Sequence, residues 1–170
     1  MGTRGLLGFI IRAQRHASYN HFDSYPSGLG QDIAEFILGL SPEEYDTMAR
    51  LVNEIIWVDP DSTPSPELQE RYQKAGFINL RAGMQRPSDW NCLLDKTQGA
   101  AALPAIKSGE LQHMPESMDF LKDGLFCEWA YFIDFENRKL ETWRGGKMVN
   151  EVTFEKLVEV GKGYMGKWRG

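Results

Sequence analysis

The stretch from Tyr19 to Gly30 gathers an amide, an imidazole, a carboxylate, two hydroxyls, two phenols and two glycines in one short run of chain. His21 and Asp23 supply an acid-base or orienting pair, and Asn20, Ser24 and Tyr25 supply hydrogen-bonding groups beside them. Loops held by a rigid scaffold are where binding groups collect. The same residues also read as turn chemistry, with Asp23 and Ser24 capping neighbouring amides ahead of Tyr25-Pro26. Ser27-Gly28-Leu29-Gly30 likewise has two readings. Its glycines let backbone amides approach an anion at the positive end of a following helix, with Arg4 or Arg144 completing the charge match. They serve equally as a turn needing positive φ, and the lysine of a phosphate loop and the third glycine of a dinucleotide fingerprint are missing.

Other reactive side chains are scattered. His16, His21 and His113 with Asp23 are metal-ligand types, but no third ligand falls at a recognisable spacing, so neither a metal nor another cofactor is expected. Cys127 sits in an apolar run with no base nearby in sequence and reads as a buried, inert thiol. Arg144, beyond Trp143, reads as a long-range partner for Asp23.

These residues need a scaffold, and the pattern supplies one at each end of the chain. Arg4 to Ile11 is a short apolar run, Arg12 to Arg15 a polar loop of about four residues, and His16 to Phe22 a second strand, which together predict a β-hairpin. Gly5 and Gly8 inside the first strand mark close approach of another segment. Leu125 to Asp134 and Leu140 to Trp143 predict a second hairpin with its turn near Asn137, ended by Gly145-Gly146. Between them the chain reads as helical. Ser41-Pro42-Glu43-Glu44 is a capping box opening a helix that runs to about Trp57, and Ser65-Pro66-Glu67 opens another, ended by Gly76. Ser88 caps a shorter helix, Ala100 to Leu111 is a weaker helical segment interrupted by Pro104, and Thr153 caps a last helix before a glycine-rich basic tail that frays unless Tyr164 and Trp168 dock it. The expectation is a single α+β domain over residues 1–170, with an antiparallel sheet built from the N- and C-terminal hairpins and helices packed against it.

Composition sets the outer limits. A chain of 170 residues with 19 Lys plus Arg, 24 Asp plus Glu and a net charge of −5 folds as one domain and lacks the basic face that phosphate contacts with nucleic acid require. The basic residues near the two ends nonetheless leave room for a small anionic ligand if those ends meet in one sheet. Cys92 and Cys127 form no disulfide or zinc framework. The apolar run Gly5 to Ile11 is far below the roughly 20 residues of a membrane span. A cytoplasmic location is expected; Arg4, Arg12 and Arg15 with Leu6, Phe9 and Ile10 on one helical face are also transit-peptide traits and keep a mitochondrial one open. Met1-Gly2 is followed by Leu6 where an N-myristoylation signal needs Ser or Thr. Oligomeric state is not legible.

Two resemblances bear on activity. Met1-Gly2-Thr3-Arg4-Gly5 together with Tyr19 to Gly30 resembles a group of hypothetical proteins from fungi, viruses and bacteria that begin the same way. That resemblance implies a site at these positions and names no chemistry. The start of the chain is also similar to the N-terminal nucleophile hydrolases, in which a strand begins with Thr, Ser or Cys and the free α-amine serves as base. Thr3 and Asp23, across a hairpin, match the nucleophile and orienting residue of that family, and Gly2-Thr3 resembles the junction cleaved in proteasome-type subunits. The family's lysine is absent from the hairpin neighbourhood, and Thr3 is not the first residue. The resemblance implies an N-terminal-nucleophile-like fold with Thr3 and Asp23 as catalytic groups; the residues themselves add His21 as an acid-base or orienting group and Arg4, Asn20, Ser24, Tyr25, Ser27, Gly28 and Arg144 as ligand-binding ones. The implied activity is hydrolysis of an amide or related bond in a small molecule. The alternative is a non-catalytic module that grips an anion or a partner peptide through the 19–30 loop.

Overall fold

The computed structural model of the chain describes residues 3–79, 81 and 86–167. Met1, Gly2 and Trp168, which entered the reading of the two termini, lie outside them. Strands β1 (Gly5–Ile11) and β2 (Gln14–Asn20) form the first hairpin. Its loop is two residues rather than four, because Arg12 and Ala13 both adopt positive φ (49° and 66°), the twist that a tight hairpin favours. A wide helical turn, Pro26–Gly30, leads into helix α1 (Gln31–Leu38), followed by α2 (Pro42–Asn53) and α3 (Pro66–Lys74). The Ser41 capping box is formed in full: Ser41 Oγ accepts from the Glu44 amide at 3.3 Å and Glu44 Oε1 accepts from the Ser41 amide at 2.9 Å. Ser65 caps α3 through the Leu68 amide.

The middle of the chain departs from expectation in three places. Helix α2 stops at Asn53, not near Trp57, because β3 (Ile56–Val58) pairs in parallel with β4 (His113–Pro115) as a small separate sheet. Helix α4 (Trp90–Leu93) is capped by Asp89, whose Oδ1 accepts from the Asn91 and Cys92 amides, and not by Ser88. The stretch expected as one helix around Pro104 is a short 3-10 turn, Gly99–Ala101, continuing into α5 (Ala102–Lys107).

The second hairpin pairs β5 (Trp129–Asp134) with β6 (Lys139–Arg144). Gly145 and Gly146, φ 57° and 82°, do not end the sheet; they turn the chain into β7 (Lys147–Thr153), ahead of α6 (Phe154–Val160), which Thr153 caps. The main sheet has order β2-β1-β5-β6-β7. Each hairpin is antiparallel, but the pair that joins them, β1 with β5, is parallel, so the sheet is mixed rather than wholly antiparallel. Both joining strands are buried almost throughout, which is where parallel pairing belongs.

Leu7, Phe9, Tyr131, Ile133 and Leu140 face the helices in the main core, while Leu6, Ala17, Ala130 and Phe132 face a smaller cluster under the 118–122 segment. The tail after α6 docks through Tyr164, whose hydroxyl accepts from Asn150 Nδ2 at 2.8 Å, and through buried Met165. Among the described residues no helix is long and apolar enough to cross a membrane.

Candidate active site

Register places Gly5 opposite both Asn20 and Trp129, and Trp129 opposite Arg144. Four chain segments therefore meet at one end of the sheet. On the helix-packed face Thr3, Tyr25, Trp129 and Arg144 line a cavity of about 380 Å³, together with Glu128 and the glycines at 124 and 145. Thr3 is 8% exposed, and its hydroxyl has no hydrogen-bond partner among the described residues. The Arg144 guanidinium lies over the Trp129 indole, 5.1 Å from the ring centroid. It forms no ion pair among the described residues, so its charge stays available to a ligand. It does not reach Asp23, contrary to the pairing expected from sequence. The Asp23 carboxylate instead accepts from the Tyr25 hydroxyl at 3.0 Å, which couples it to the cavity through the tyrosine wall.

The floor under this site is a buried polar lattice. Asn20 Nδ2 donates to the Phe22 carbonyl at 2.7 Å and to Ser24 Oγ at 2.8 Å. The Ser24 amide donates to the Thr3 carbonyl and its own carbonyl accepts from the Tyr131 hydroxyl at 2.8 Å. Burial raises the Tyr131 phenol far above its ordinary range and so keeps it a donor. Asn20 and Ser24, at 6% and 0% exposure, are thus struts that hold the 19–30 loop on β1, and Asn20 also lines, with Asp23, a hollow of about 410 Å³.

Ser27 and Gly28 do not build an anion cradle. The Gly28 and Gly30 amides donate to the Tyr25 carbonyl and the Leu29 amide to the Asp23 carbonyl, so the turn consumes its own donors. Gly28 is needed for close approach instead, since a Cβ there would lie 2.3 Å from the Asp23 carbonyl oxygen. Arg4 points to the opposite face, over the Phe126 ring at 5.4 Å. His21 also leaves the Thr3 cavity. Its Nδ1 bonds the Tyr19 hydroxyl at 2.8 Å, and its ring lines a groove along the outer edge of β2. Among the described residues no three His, Cys, Asp or Glu side chains gather to hold a metal ion, and burial pushes the Cys127 thiol up to about 11.

Sequence reasoning passed over a second buried polar dyad, Tyr72 and His113. The Tyr72 hydroxyl accepts from the Gln112 amide at 3.1 Å and meets His113 Nδ1 at 2.6 Å. When the hydroxyl donates to Nδ1, the neutral ring carries its own proton on Nε2. Burial first, then the charge of Arg71, lowers the His113 pKa. The unfolded chain takes up a proton at about pH 6.5 that the native state refuses, so this group costs stability as pH falls below 6.5. Urea titrations between pH 7 and 6 are expected to show a smaller pH slope in His113→Asn, by at most about 1.4 kcal/mol per pH unit; an unchanged slope would mean the imidazole is protonated in the native state.

The chain matches no family model, no curated protein and no solved structure.

Proposed function

We propose that the protein is a small-molecule-processing enzyme that hydrolyses an amide or related bond at the Thr3 cavity, in a substrate bearing a carboxylate. One juxtaposition carries the reading: the Thr3 hydroxyl, on a residue 8% exposed and with no partner among the described residues, shares a cavity with a guanidinium that lies over an indole. In a chain that begins at Thr3, the free α-amine is the base. Thr3 Oγ1 adds to the substrate carbonyl as its proton passes to that amine and on to the departing amine. Water then hydrolyses the ester and restores the hydroxyl. Arg144 takes the substrate carboxylate in a bidentate fork, and Asp23 fixes the Tyr25 wall. The second reading, anion binding without chemistry, rests on Arg144 alone.

Intact-mass measurement after exposure to a β-lactone electrophile tests this. A mature chain starting at Thr3 and carrying a single adduct is expected, with no adduct in Thr3→Ala. A chain that begins at Met1 or Gly2, or equal labelling of Thr3→Ala, sinks the nucleophile. Loss of carboxylate binding in Arg144→Ala from an unlabelled protein would then favour the non-catalytic reading.

A further inference from the structure

A second site lies along the outer edge of β2 and owes nothing to Thr3. In an antiparallel strand, alternate residues turn both backbone groups towards the same neighbour. On β2 the Ala17 amide donates to Glu116 Oε2 at 3.0 Å and the Ala17 carbonyl accepts from the Ser117 amide at 2.7 Å, so Ala17 faces away from β1. Two residues on, Tyr19 faces the same way, and just past the strand the His21 amide donates to Gln98 Oε1 at 2.8 Å. Only the middle position is unfilled: neither the Tyr19 amide nor its carbonyl has a partner among the described residues.

A groove of about 560 Å³ and a small inner cavity of about 30 Å³, the throat, share Tyr19, Asn91 and Gln98 as lining residues. The throat has room for roughly one or two water-sized groups. Apolar Leu7, Leu94 and Leu111 wall it, and buried His113 lines it, stacked on Trp90 at 5.6 Å. Tyr72 already fills His113 Nδ1, which leaves Nε2–H as the ring's remaining donor. Gln98 spends its oxygen on the His21 amide, so its NH₂ group is the part free to donate. No lysine or arginine lines either compartment, and the outer groove carries one carboxylate, Asp95, which adds to the bias against an anion.

We propose that this groove binds a small, neutral, planar heterocycle of the nucleobase type, held by the Tyr19 backbone edge. Such a ring presents a ring acceptor and an adjacent N–H donor, which pair with the Tyr19 amide and carbonyl. The absence of a lining cation selects against an anion, and the narrow throat admits only a small substituent, so the ring itself sits in the outer groove. An extended peptide is disfavoured because it needs consecutive ladder positions, and Ser117 and Gln98 occupy the two on either side.

The full chain, labelled with ¹⁵N, is titrated with 9-methyladenine, 1-methylcytosine and 1-methyluracil, in which the glycosidic nitrogen is blocked, and with 9,N6,N6-trimethyladenine, which keeps the ring acceptors and has no N–H donor. At least one of the three bases is expected to saturate, with the Tyr19 amide and the Gln98 side-chain amide shifting most. If that base is 9-methyladenine, dimethylation of its amino group weakens binding at least tenfold. Asn91→Trp, a substitution at an exposed position that fills the groove, abolishes binding with an unchanged circular dichroism spectrum, while Thr3→Ala leaves it intact. The proposal is overturned if none of the three bases shifts Tyr19 up to its solubility limit, if the trimethylated probe binds as well as 9-methyladenine, if Asn91→Trp still binds, or if an uncapped extended tetrapeptide shifts Tyr19 when the bases do not.

Discussion

Gly8→Ala is expected to cost about 3 kcal/mol or more of folding stability, a large fraction of the total for a domain of this size. A Cβ at this position would lie 2.4 Å from the His16 carbonyl oxygen and 2.8 Å from both Ala17 Cβ and Phe132 Cδ1. The first of these is backbone of the paired strand, so relief requires β1 and β2 to separate. Gly5→Ala meets the same difficulty against the Trp129 carbonyl oxygen at 2.3 Å and Ser24 Cβ at 2.7 Å. It would also push the 19–30 loop off the end of the sheet and open the Thr3 cavity. Gly163→Ala, which meets nothing within 4 Å, is the control and is expected to stay within about 0.5 kcal/mol of the parent. Urea denaturation of the three variants decides the matter; a Gly8→Ala midpoint equal to that of Gly163→Ala would contradict the packing.

Arg15→Met is expected to cost about 2–3 kcal/mol at neutral pH, the lower part of the range for breaking a buried pair because the arginine side chain is itself about one third exposed. Glu141, 4% exposed, receives Arg15 Nε at 2.9 Å, Nη2 at 2.7 Å and the Trp143 indole N–H at 2.9 Å. Burial alone would raise its carboxyl pKa, but these hydrogen bonds and the arginine charge outweigh burial and hold it below the ordinary carboxylate value. A depressed carboxyl stabilises the fold above its unfolded pKa and loses that contribution as pH falls through the folded one. In Arg15→Met the carboxylate is buried without its cation, so its pKa rises and a proton relieves it. The stability gap between parent and variant should therefore shrink from pH 7 to pH 4. A gap that is constant with pH would show that the variant loses packing over Phe132 and Trp143, where the guanidinium also lies, rather than charge.

What could be read from sequence was what is local. Ser41, Ser65 and Thr153 cap the helices expected of them because a cap is decided within four residues. Gly5 and Gly8 announced a close approach, since glycine inside an apolar strand has few other uses. The strand β7 was hidden for the opposite reason. It is an edge strand with exposed Met148 and Val149 and several polar residues, so little burial imprints a pattern on it. The candidate site was half legible. Thr3, Tyr25 and Arg144 do share a cavity, but what unites them is the register of β1 on β5 and of β5 on β6, which no spacing encodes. The same register supplies Trp129 as a platform for Arg144, which stands over the indole and not beside Asp23. His113 was visible only as an isolated metal-ligand type, because its partner Tyr72 lies 41 positions away.

The parallel seam between β1 and β5 has a consequence for how the molecule is made. Gly5 finds Trp129 only after more than two thirds of the chain has been synthesised, and the loop-closure entropy of that contact must be met before any of its packing is gained. Until then the first hairpin carries Leu6, Leu7 and Phe9 with one flank unpaired. That is an adhesive edge on a nascent chain. The fold is thus one whose hairpins are joined by a contact of long sequence separation, a topology that slows folding.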